Sequence, residues 1–97
     1  MDHKIPDYLL STFNMVKSAY LAGIPPNEYL PLLRLLYEEM SDRNLALTVG
    51  LLIGTDAPLV LNDIYRAAAE MKLESSEVQK VRKKLSQYGY EEWLKEE

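Results

Sequence analysis

The amino-acid sequence predicts an all-α fold, a compact five-helix bundle with room for a short sixth helix at the C-terminal end. Three observations lead there. Apolar residues recur three and four apart in segment after segment, Ser, Asn and Gly stand where helices should begin and end, and the connections between segments are short. A chain of 97 residues, 47% hydrophobic and 27% charged, fits one helical domain, residues 1–97, and no more. Its core is expected over about residues 7–90, with residues 1–6 and 95–97 frayed as chain ends commonly are.

Leu9, Phe13, Val16 and Tyr20 form the apolar stripe of a first helix over residues 6–22, and Gly23 supplies its left-handed stop. Ile24-Pro25-Pro26 must be extended, because proline disfavours helical geometry in the residue before it. Asn27 then offers a side-chain oxygen to cap a second helix that runs to about Met40. Its stripe is Tyr29, Leu32, Leu33, Leu36 and Met40, and Pro31 is tolerated near the first turn. Ser41 caps a third helix, with Asp42 in the first turn where the macrodipole favours a negative charge. From Leu45 to Ile53 almost every position is apolar, which predicts the buried centre of the bundle, although periodicity alone also allows a short β-strand. Gly50 permits close packing against a neighbour, and Gly54 marks the stop.

Thr55-Asp56-Ala57-Pro58 has turn chemistry, and Leu59-Val60-Leu61 reads as an extended connection. Asn62 caps a fourth helix with Ile64, Ala67, Ala68 and Met71 inward and Asp63 paired with Arg66. Ser75 caps a fifth, with Val78, Val81, Leu85 and Tyr88 inward and Gly89 as its stop. In the acidic tail, Trp93 and Leu94 are expected to dock on the bundle or to form a short terminal helix.

The order Gly23-Ile24-Pro25-Pro26, Tyr29, Leu32, Leu33, Leu35, Leu36 and Ser41-Asp42, followed by an apolar helix, carries a resemblance. So do Asp63-Ile64, Val81-Arg82, Leu85 and Gly89-Tyr90. The chain resembles a domain-of-unknown-function family of small all-helical bacterial proteins, best represented in mycobacteria, over about residues 9–90. It departs from that family in having Leu73-Glu74-Ser75-Ser76 where members have a proline before the last cap, and Tyr90 where they have tryptophan. The resemblance implies a five-helix bundle without an established activity and supplies no catalytic residue.

Several chemistries are absent from the residues themselves. The chain has no cysteine, so thiolate metal sites and thiol nucleophiles are excluded. His3 is the only histidine, expected at a frayed end with no second ligand beside it, and no internal imidazole can serve a serine as base. Gly23, Gly50, Gly54 and Gly89 are scattered, so no phosphate-cradling loop or dinucleotide fingerprint exists. Glu38 and Glu39 point about 100° apart on a helix, and Asp63 and Glu70 share a face without a pattern that suggests acid–base work. The expectation is therefore a non-enzymatic protein with no catalytic residue, cofactor or metal. The N-terminus lacks the basic and apolar regions of a signal sequence, and the run from Leu45 to Ile53 falls short of the roughly 20 residues that span a bilayer. A cytoplasmic setting without a membrane partner follows.

What remains is binding. Seven tyrosines and one tryptophan are many for this length, and amphipathic aromatics are enriched where protein surfaces meet. Tyr8, Tyr37, Tyr65, Tyr90 and Trp93 are the candidate partner surface, for an unknown protein or for a second copy. The alternative is nucleic acid. The net charge of −4 disfavours it, yet Lys80, Arg82, Lys83 and Lys84 gather on the fifth helix, which could pair with the fourth as a helix-turn-helix. Glu70, Glu74 and Glu77 crowd the end that would meet base edges, and the acidic tail could fold across the basic stripe and neutralise it.

Overall fold

The computed structural model describes residues 5–96, so the reading of His3 lies outside the described residues. A 3-10 turn, Asp7–Leu9, leads into α1 (Leu10–Ala19), followed by α2 (Pro26–Tyr37), α3 (Asp42–Ile53), α4 (Ala57–Glu70), α5 (Ser76–Ser86) and α6 (Tyr90–Leu94). Among the described residues there is no strand, so the apolar run after Leu45 is helical and the fold is all-α: five long helices and a short sixth.

The apolar run of α3 is buried at Leu45, Ala46, Thr48, Val49 and Gly50, and it shares the centre of the bundle with α2. α2 packs against α3, α4 and α5 and buries Pro31, Leu32, Leu33, Leu35 and Leu36. α3 packs chiefly on α4 and also meets α1 and α2, which leaves Leu47, Leu51 and Leu52 half-buried and Ile53 exposed. An all-apolar helix is buried only as far as its neighbours surround it. Leu47 and Leu51 instead wall an open groove with Ile5 and Phe13.

Helix starts differ from expectation where proline is involved. Pro25 is extended and Pro26 holds the first helical position of α2, where its missing N–H costs nothing, so Asn27 lies exposed inside the first turn and caps nothing. The same physics moves the start of α4 forward. Asp56 precedes the helix and Pro58 stands in its first turn, so Leu59-Val60-Leu61 is helical, Asn62 is interior, and Val60 joins Ile64 and Ala67 in the core. Where serine caps, expectation and structure agree: Ser41 Oγ accepts the Asn44 N–H at 3.1 Å and Ser75 Oγ that of Val78 at 3.4 Å.

α3 and α4 meet at a 117° corner. The Gly50 carbonyl accepts the N–H groups of both Gly54 and Thr55, at 2.9 and 3.0 Å, and Gly54 takes the left-handed conformation at φ 73°. A Cβ on Gly50 would stand 2.8 Å from the Thr55 carbonyl oxygen, so the corner itself is the close neighbour that this glycine admits.

Two ends of the core are filled differently than the stripes suggest. In α1, Thr12 and Met15 are buried and Phe13 is only half-buried, with the Lys17 ammonium 5.7 Å from its ring centre. After α5, Gly89 at φ 92° reverses the chain, so Tyr88 is 45% exposed while Tyr90 turns into the core at 2%. α6 then docks on α1 and α5, and the Trp93 Nε1–H donates to Thr12 Oγ1 at 2.8 Å. The Asp63–Arg66 pair does not form: Asp63 Oδ2 accepts the Tyr29 hydroxyl at 2.8 Å, and Arg66 lies 3.5 Å from Glu70 one turn on. No single helix among the described residues is long and apolar enough to cross a membrane.

Candidate functional site

The first turn of α3 holds two of the five candidate aromatics. Asp42 and Asn44 are two positions apart, hence about 200° apart around the helix, and each anchors a tyrosine on its own side. The Tyr65 hydroxyl donates to Asp42 Oδ2 at 2.7 Å, and the Tyr8 hydroxyl lies 3.4 Å from Asn44 Oδ1. Both rings stay in solvent, Tyr8 at 69% exposure and Tyr65 at 49%. Tyr37, at the end of α2, is also exposed, with the Arg34 guanidinium 5.9 Å from its ring centre. The hydrogen bond to Asp42 holds the Tyr65 phenol proton and raises its pKa above the ordinary tyrosine value.

Tyr90 and Trp93 do not belong to an open surface. Tyr90 is a core residue stacked on Trp93 with ring centres 5.8 Å apart, and burial raises the pKa of its hydroxyl. Trp93 is half-buried between α6 and α1 and presents part of its ring to a cleft of about 280 Å³. Tyr8 and Trp93 line this cleft together with Met40 and Leu94, and among the described residues Glu39 and Glu96 bring the formal charges to its lining. Glu96 Oε1 accepts the Ser11 hydroxyl at 2.7 Å, which fastens the tail beside α1. Glu39 is exposed, and no pattern in the sequence joins it to the tail residue Glu96.

The basic stripe of α5 is divided. Lys84 is drawn inward, where its ammonium lies 3.1 Å from Glu28 Oε1 and 4.5 Å from the Tyr20 ring centre. The Tyr20 hydroxyl donates to the same carboxylate oxygen at 2.8 Å, so one acid ties α1, α2 and α5 together. Burial acts to raise the Glu28 pKa, but the hydrogen bonds from Tyr20 and Lys84 outweigh it and hold the carboxyl below its ordinary value. Tyr20 is pushed well above the usual phenol range, by burial first and by Glu28 second, and Tyr29 likewise by burial and Asp63. Arg82 sits with its guanidinium 5.7 Å from the Tyr90 ring centre, while Lys80 and Lys83 are exposed. Among the described residues, no tail carboxylate forms an ion pair with Lys80, Arg82 or Lys83. Glu91 instead accepts the Ser86 hydroxyl at 2.7 Å. α4 and α5 each lie on α2 rather than on one another, with the Arg34 Nε–H donating to the Met71 carbonyl at 2.9 Å to hold the end of α4.

Comparison with family models, with curated proteins and with solved structures finds no match.

Proposed function

We propose that this chain is a non-enzymatic protein-binding or regulatory module, acting in the bacterial cytoplasm, whose contact face is built on the first turn of α3. One observation carries the reading: Tyr65 and Tyr8 are exposed rings whose hydroxyls are anchored to Asp42 and Asn44, on either side of that turn. Anchored aromatics offer large contact area with little rotamer entropy left to lose on binding, which is how rigid interface anchors gain affinity. Tyr37 adds a further exposed ring at the end of α2. The resemblance to a bacterial family of unknown function is consistent with such a role and adds no residue to it.

The test is retention of host proteins on the immobilised chain and on a Tyr37→Ser/Tyr65→Ser variant. A protein held by the first and lost by the second is the expected result. Identical retention on both, or none on either, overturns the reading. Sedimentation at micromolar concentration asks in parallel whether the partner is a second copy.

A second reading, nucleic-acid binding, draws on Lys80, Arg82 and Lys83, which have no acidic partner among the described residues. It predicts salt-sensitive chemical-shift changes at those three residues on adding short duplex DNA. Shifts elsewhere, or shifts indifferent to salt, remove it.

A further inference from the structure

We propose that the cleft between Tyr8 and Trp93 receives a lysine side chain from the surface of a partner protein. The proposal deepens the protein-binding reading and rests on it. Among the described residues, Glu39, following α2, and Glu96, following α6, are the charged groups that line the cleft. Tyr8, Trp93, Met40 and Leu94 give the cleft its aromatic and aliphatic wall, beside the neutral polar side chains of Ser11, Thr12, Ser41 and Asn44. An alkylammonium on a hydrocarbon stem needs this combination. The stem lies on apolar wall, the charge meets ring faces and carboxylates, and the head keeps contact with water.

The first turn of α3 also opens on the cleft, and its partial positive charge opposes a cation. That opposition is blunted, because Ser41 Oγ already accepts the Asn44 N–H and Asp42 places a carboxylate in the same turn. At Glu96 the acceptor geometry favours lysine over arginine. Glu96 Oε1 is already engaged by the Ser11 hydroxyl, so this carboxylate does not present two free oxygens side by side to a guanidinium fork. A compact ammonium with rotatable donors needs only one oxygen from each acid.

Trp93 is the only tryptophan, so its emission reports occupancy of the cleft directly. The probe is the peptide acetyl-Gly-Gly-Lys-Gly-Gly-amide, titrated into the full chain at low salt against the same peptide carrying Nε-acetyl-lysine. The lysine peptide is expected to shift the emission saturably and to bind roughly tenfold more tightly than the acetylated one, a factor worth about 1.4 kcal/mol. A Glu39→Gln/Glu96→Gln variant should lose roughly the same factor while melting like the parent. Because the net charge of −4 attracts any cation, a Glu70→Gln/Glu74→Gln variant serves as the charge-matched control and should bind as the parent does. Equal binding of the two peptides, no binding of either, or equal losses in both variants overturns the proposal. If a partner is still retained through Tyr37 and Tyr65 while lysine binding fails, the cleft alone is refuted and the module reading stands.

Discussion

α2 and α3 are of equal length and both are rich in leucine, yet they occupy different situations. α2 has neighbours on three sides and buries five residues in succession but for Arg34, whose guanidinium reaches out to Glu38 and Met71. α3 is apolar almost all round and also buries five residues, but it is covered mainly from the side of α4, so Leu47 and Leu51 face a groove. The difference teaches that apolar density states how much a helix could bury, whereas the packing order decides which of its sides does.

The comparison breaks most readily at a leucine. Leu36→Ala empties a site that is fully buried and should cost about 2–5 kcal/mol in urea unfolding. Leu51→Ala, on the half-buried wall of α3, should cost about 1 kcal/mol. Equal losses would mean that the two helices are equivalent after all. Next is Gly50→Ala, which gains helix propensity of about 1 kcal/mol but forces its Cβ against the Thr55 carbonyl oxygen. A net loss of about 1–2 kcal/mol is expected, because the neighbour is backbone and must move. A stabilised Gly50→Ala would show that the corner yields freely.

The helix starts sharpen the contrast further. Ser41→Ala removes the cap of α3 and should cost about 1 kcal/mol, whereas Asn27→Ala, inside the proline-led start of α2, should change stability by no more than about 0.5 kcal/mol. The smallest effect concerns pH. The Glu28 carboxyl is held below its ordinary value of 4.5 in the fold, so the stability it contributes is present above that value and is lost as pH falls through the depressed one. Glu28→Gln should therefore flatten the acid limb of a stability-versus-pH curve below about pH 4.5. An unchanged acid limb would release α2 from its tie to α5. At the other extreme, Tyr20 and Tyr29 keep their protons in the fold, so stability should decline as pH rises above the ordinary tyrosine value of 10.0.

Local signals carried much of the fold in the sequence. Ser41 and Ser75 cap where expected, Gly54 stops α3, and the five long helices follow in order, whereas α5 already ends at Ser86 and Gly89 leads into α6. The expectations that failed did so for identifiable reasons. Asn27 and Asn62 look like caps, but a proline in the first turn starts a helix without one, and that signal stood beside both. Tyr88 and Tyr90 exchanged roles because the reversal at Gly89 depends on where α6 finds its contacts, a tertiary fact that no stripe contains. The same distinction holds for the candidate site. Tyr8, Tyr37 and Tyr65 could be read as outward-facing because they lie off the stripes. The meeting of Glu39 with Glu96 could not, since it requires the tail to return to the end of α2.

That return has a kinetic side. Thr12 and Trp93 are 81 positions apart, and their hydrogen bond closes nearly the whole chain into one loop. During synthesis the flank of α1 that carries Thr12 therefore stays uncovered until α6 has left the ribosome. The only indole in the sequence thus reports that docking: its fluorescence should reach the native value late in refolding, after the helical signal, and any phase seen by Trp93 alone times the joining of α1 to α6.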